Sequence, residues 1–161
     1  MTEQTWVINA SPLILLGKIN QLELVERLAP RLIVPQTVFD EIATGEQDRL
    51  TQSTLHWAQY HTQPNIAVPI SILNWDIGAG ESQVLAQCMR LKGSKALLDD
   101  GEARAAAQSH QIGLLGTLGI ILRAKQSGLI AAARPLIEQL LANGSYLSDS
   151  LVLEALRKVG E

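Results

Sequence analysis

The stretch Lys95-Ala-Leu-Leu-Asp99-Asp100-Gly-Glu102 sets two adjacent carboxylates directly behind a short apolar run. Runs such as Ala96-Leu97-Leu98 form buried parallel strands. In open α/β sheets, ligands bind outside the carboxyl ends of such strands. Adjacent carboxylates in that position repel each other, so they need a cation, a proton or solvent. Asn9 ends another apolar run, Thr5-Trp-Val-Ile8, and Glu81 stands at a helix start behind Asp76-Ile-Gly-Ala-Gly80. Glu41 lies on a third element, close to its apolar face, which is an odd place for a merely solvated charge. Carboxylates scattered along a chain but gathered at one sheet edge suit magnesium or manganese. These hard ions take oxygen ligands and keep several waters. The structural use of Asp99 or Asp100 is equally open: either can cap the following helix, Glu102-Ala-Arg-Ala-Ala-Ala-Gln108.

The elements that must position these residues alternate between strand and helix. Strands are expected at 5–8, 32–34, 96–98 and 113–115, with a short one at 66–68 inside a connector bounded by Pro64 and Pro69. Ser11 and Pro12 read as N-cap and first residue of a helix carrying Leu13, Leu16 and Ile19. Asn20 reads as the cap of a second helix, Gln21 to Leu28. Pro35 starts a third, with Val38, Phe39 and Ile42 on its face and Gly45 as its stop. A polar helix is expected over 46–60, and a long one from an Asp76 cap to about Lys92. Three more follow: Leu118 to Gln126, Pro135 to Ala142, and Asp149 to Val159 capped by Ser148. The glycines before Glu81 allow something to approach the backbone closely. Strict alternation favours a mostly parallel sheet with helices on both faces. No repeat or linker divides the chain, so residues 1–161 form a single domain.

Composition excludes several classes. The 161 residues are 47% hydrophobic and 4% aromatic, giving a globular chain with an aliphatic core. A net charge of −3 argues against nucleic-acid binding by bulk charge, though a local basic groove remains compatible. The one cysteine, Cys88, sits at helical core spacing and leaves neither a disulfide nor a cysteine metal cage. The N-terminus lacks basic residues and is no signal peptide, and no apolar run spans a bilayer. The expected location is the cytoplasm. His56, His61 and His110 lack metal spacing. Ser11 has no His or Asp motif beside it to form a triad. Gly78-Ala-Gly80-Glu81 lacks the lysine of a phosphate loop. Receiver and dehalogenase folds each require an aspartate pattern that is missing here. Surplus apolar residues on the first two helices suggest a homodimer.

Four stretches occur in the order of the acidic motifs of the PIN-domain family: Val7-Ile-Asn9-Ala-Ser11-Pro-Leu-Ile14, Val38-Phe-Asp-Glu41-Ile42, Gly80-Glu81 and Leu97-Leu-Asp99-Asp100. Gly116-Thr-Leu-Gly-Ile-Ile-Leu122, running on through Ala124-Lys125 to Gly128-Leu-Ile130, resembles the signature of an uncharacterised bacterial PIN branch. Arg134-Pro-Leu-Ile-Glu138 and Leu147-Ser-Asp-Ser-Leu-Val152 are similar to that branch too. The resemblance runs from Val7 to Glu161. It implies a PIN-like three-layer α/β/α sandwich with a central five-stranded, mostly parallel sheet. It also implies a magnesium- or manganese-dependent nuclease acting on single-stranded RNA, with DNA as a further candidate substrate. Such toxins pair with antitoxin proteins, and a homodimer is again implied. By motif position, Glu41, Glu81 and Asp100 are the catalytic candidates. Asn9, Glu81, Asp99 and Asp100 are the metal ligands, and Ser11, Glu102 and Thr117 are accessory. The departure is Asn9, which stands where the family carries its first Asp. It offers a carbonyl oxygen but no charge, so a catalytically weak PIN-like module that binds nucleic acid or protein is the alternative.

Overall fold

A computed structural model describes residues 4–161 of the chain. The N-terminal residues 1–3, on which the signal-peptide reading partly rests, lie outside the described residues. Strand β1 is Thr5–Ile8, and all four residues are buried, as a continuous apolar run at the centre of a parallel sheet must be. The chain passes through α1 (Ala10–Lys18) and α2 (Leu22–Leu28) to β2 (Arg31–Pro35), then α3 (Gln36–Ala43), α4 (Arg49–Ala58) and β3 (Thr62–Gln63). It returns through α5 (Ile70–Leu73) and α6 (Ala79–Arg90) to β4 (Lys95–Leu97), α7 (Gly101–Ser109) and β5 (Gly113–Leu115). Helices α8 (Thr117–Gln126), α9 (Arg134–Ala142) and α10 (Asp149–Lys158) complete it. The sheet order is β3-β2-β1-β4-β5 and every pairing is parallel.

That order carries a functional consequence. From β1 the chain builds outward through β2 to β3, then crosses back and builds outward the other way through β4 to β5. The reversal falls between β1 and β4, whose carboxyl ends therefore flank a crevice. One helix group, α6 with α3 and α7, packs against β1, β2 and β4, while α2 with α1 and α8 forms a second group. Among the described residues no helix is long and apolar enough to cross a membrane.

Several local expectations are corrected. Residues 66–68 form no strand; the outer strand is Thr62–Gln63, before Pro64 removes a donor. The Gln83 side chain takes the ladder's place, accepting from the Ile66 N–H at 3.0 Å and donating to its carbonyl at 2.7 Å. Asp76 is not a cap: it has a left-handed φ of 50° in the turn ahead of α6, whose N-cap is Gly78. Asn20 likewise has φ 56°, a conformation asparagine tolerates, and Gln21 precedes α2 instead. Ser11 lies inside α1, and the capping position belongs to Asn9. On α1 and α2 the stripe residues Leu13, Leu16, Ile19, Leu24 and Val25 are buried, while Ile14, Leu15, Leu22 and Leu28 beyond it stay half-buried. The exposed large side chains sit elsewhere, Ile70 at 74% and Leu153 at 60% among them. Cys88 is a core residue as its spacing requires, and burial pushes its thiol up to about 12, so it stays protonated.

Candidate active site

Asn9 continues β1 by one residue, its N–H donating to the Leu97 carbonyl of β4 at 3.1 Å. That bond holds the position at the crevice between the two strands. Although Asn9 is the N-cap residue of α1, its side chain makes no capping hydrogen bond. Nδ2 instead donates to Glu81 Oε1 at 3.2 Å, across 72 residues of sequence. Asn9 is only 3% exposed, and its Oδ1 is buried without a hydrogen-bond partner. A buried orphan acceptor carries a desolvation cost, so it marks a place where a donor or a cation is missing.

The two adjacent aspartates divide their work. Asp100 caps its own helix, with Oδ2 accepting from Ala103 N at 2.9 Å at the start of α7. Asp99 reaches across to α8. Its Oδ1 accepts from Thr117 N at 2.8 Å, and its Oδ2 accepts from Thr117 Oγ1 at 2.6 Å and from Ser11 Oγ at 3.3 Å. Gly116 occupies the N-cap of α8 and has no side chain to offer, so Asp99 supplies the acceptor from β4's end. Arg104 is the nearby cation, but its guanidinium donates to the Leu98 carbonyl at 2.8 Å. Asp99 is thus held by neutral donors only.

Glu81 stands in the first turn of α6, where the helix N-terminus favours a carboxylate. The glycines ahead of it have a visible purpose. A Cβ on Gly78 would strike the Glu81 carboxylate, and one on Gly80 would lie 2.7 Å from Glu41 Oε2. Glu41 reaches over from α3, and its Oε1 accepts from the Gly80 N–H at 3.0 Å. It thereby caps α6, whose own Gly78 cannot. Desolvation raises the Glu41 pKa from its usual 4.5; the Gly80 hydrogen bond opposes this and the charge of Glu81 adds to it.

Asn9, Ser11, Glu81, Asp99, Asp100 and Thr117 line one cleft of about 1200 Å³. Glu41 and Glu102 are both exposed and do not line it. Arg104, which its sequence context favoured as a solvated charge over a phosphate contact, also lines the cleft, as do Tyr146 and Lys158, which sequence reasoning passed over. The last two belong to α10 and its preceding loop, and no spacing rule ties them to the acids.

Among the described residues no three His, Cys, Asp or Glu side chains gather closely enough to hold a metal ion. A hydrated magnesium or manganese asks for less, since one or two carboxylates suffice when waters and neutral oxygens complete the shell. Glu81 and Asp99 with the orphan Asn9 Oδ1 are such a donor set, all hard oxygen. The residues present therefore fit a hydrated hard cation and fit no soft one.

The DUF3368 family model, described as a PIN domain, matches residues 5–161 of the chain. No curated protein matches it.

Proposed function

The chain belongs to the PIN-domain family, and from that premise we propose that it is a metal-dependent endonuclease of single-stranded RNA. The observation that carries the proposal is the buried, unpartnered Oδ1 of Asn9, on a side chain whose Nδ2 holds Glu81. Magnesium or manganese bound there would neutralise the scissile phosphate and lower the pKa of a water. Glu81 and Asp99 would supply the two anionic ligands and Asn9 Oδ1 a neutral one. Asn9 Nδ2 fixes the Glu81 carboxylate, and Thr117 with Ser11 fixes Asp99, so neither acid needs to reorganise when the site fills. Glu41 acts through Gly80, holding the first turn of α6 and with it Glu81, which makes it a positioning residue. Asp100 caps α7 through Oδ2 and lines the same cleft, where a further ligand or a water would meet it.

The neutral Asn9 favours a second reading, a module that binds RNA with feeble cleavage, because one negative charge fewer weakens metal affinity. Cleavage of mixed single-stranded RNA and DNA, with manganese or with chelator, separates the two. Manganese-dependent cleavage that is lost in both Glu81→Gln and Asp99→Asn supports the nuclease. Binding without cleavage supports the module, and cleavage undiminished in both variants removes the acids from the reaction. The toxin role rests on the family resemblance alone. It predicts that expression arrests growth and that a small protein encoded next to it relieves the arrest.

A further inference from the structure

Beyond the acids the cleft continues between α1, α8, α9 and α10, and its character changes. Ile14, Leu118, Leu122 and Leu140 make an aliphatic floor, with Tyr146 and Lys158 also on the wall. Tyr146 lies in the loop between α9 and α10, just after Gly144 turns the chain with φ 89°. It is 100% exposed, more than any other large hydrophobic residue described. Lys158 Nζ has only a loose partner, Glu154 at 3.8 Å one helical turn away, with both side chains about two-thirds exposed. Such a pair contributes little and yields to a better anion. At about 1200 Å³ the cleft also exceeds a pocket built for one small molecule, about 300–1,000 Å³, and suits a stretch of polymer.

We propose that this half of the cleft is a subsite for an unpaired nucleotide next to the one at the acids, its base stacked on Tyr146 and its phosphate facing Lys158. The inference rests on the nuclease reading of the acidic half. A nucleotide is favoured by Lys158, whose loose partner Glu154 on the same cleft yields to a phosphate, and by the Tyr146 ring, fully exposed and open to stacking. Stacking on an aromatic side chain tolerates every base, since each has a π-face. The aliphatic floor adds no hydrogen-bonding side chain, so recognition there rests first on the stacked ring.

The test is anisotropy of a labelled single-stranded RNA 12-mer and of its fully abasic counterpart, in chelator and in calcium. Tyr146→Ala should bind the normal strand about tenfold more weakly, while its affinity for the abasic strand equals that of the wild type. Tyr146→Phe, which keeps the ring, should match the wild type. Lys158→Ala should lower the salt slope by ~0.7, the share of one single-strand phosphate. Since Tyr146 is fully exposed, its variants should melt with the wild type. Undiminished RNA binding by Tyr146→Ala, or an equal loss on the abasic strand, overturns the subsite. If the wild type still cleaves RNA in that case, the nuclease reading survives. A wild type that neither binds nor cleaves overturns both.

Discussion

Asn9→Asp tests the acidic site most directly, because it adds one charge at a position that is 3% exposed. In the wild type, Nδ2 donates to the Glu81 carboxylate at 3.2 Å. The substitution removes that donor and sets a second carboxylate in its place. A hydrogen bond to a charged acceptor contributes about 1.5–3 kcal/mol, and the repulsion between the two carboxylates adds to the loss until one takes up a proton. The metal-free variant should therefore be less stable by about 2–3 kcal/mol. For a domain of this size that is a fall in Tm of roughly 4–12 °C, at about 2–4 °C per kcal/mol. Manganese should reverse the order of effects. An ion bound only by the native state stabilises it by about 2.7 kcal/mol at a hundredfold excess over Kd, and the added anionic ligand lowers that Kd. The variant should lose more Tm than the wild type in chelator, gain more from millimolar manganese, and bind manganese more tightly by calorimetric titration. It should also begin or increase cleavage of single-stranded RNA. If Asn9 Oδ1 does not face a cation site, the variant will lose stability with no gain in manganese affinity, and that result would falsify the assignment.

Three further outcomes are expected. With metal removed by chelator, Glu41→Gln should match the wild type near pH 4 and become the more stable protein as pH rises toward 7. The raised Glu41 pKa makes the folded wild type lag behind the unfolded chain in ionising, so its penalty appears only above the unfolded pKa; a gap in urea midpoints that closes with rising pH contradicts this. Gly80→Ala should destabilise the protein by driving Glu41 off its amide, and adding Glu41→Ala should cost less than the two single losses combined, so a strictly additive double-mutant cycle in urea would deny the contact. Thr117→Val keeps the backbone bond to Asp99 but deletes the 2.6 Å hydroxyl bond, so it should lower stability by about 1.5–3 kcal/mol in thermal melts, and an unchanged Tm would show that Asp99 does not depend on it.

Four of the five strands and most helices could be read from the sequence because each rests on local chemistry. Trp6–Val7–Ile8 is apolar throughout and lies in a central strand. Ser148 caps α10 by accepting from Leu151 N, the bond its type and position imply. The misreadings fall where a distant side chain replaces a local partner. Residues 66–68 look like a strand, but the N–H and carbonyl of Ile66 are taken by Gln83 from a helix that follows later. Asp76 and Ser11 are good caps by type, yet α6 is capped by Glu41 from α3, and the Ser11 hydroxyl turns to Asp99.

The same physics governs the site itself. Three of its helices start with residues that do not cap themselves through their own side chains: Asn9 for α1, Gly78 for α6 and Gly116 for α8. The last two are served by acids from other elements, Glu41 and Asp99, and Asn9 is turned away from its own helix toward Glu81. Sequence alone could not choose between Asp99 and Asp100, because both are the right residue type one position apart. The choice was made by Gly116: a helix start with no side chain of its own needs an acceptor, and Asp99 at the end of β4 fills that need while Asp100 serves α7. The side chains that serve these helix starts thus gather around Glu81 and Asp99, and the departure of Asn9 from an aspartate belongs to the same pattern. Its amide gives Glu81 a neutral partner, so the metal-free cleft carries one fewer negative charge beside Asp99 than an aspartate would impose. Part of the attraction for an ion is exchanged for a fold that stands without one.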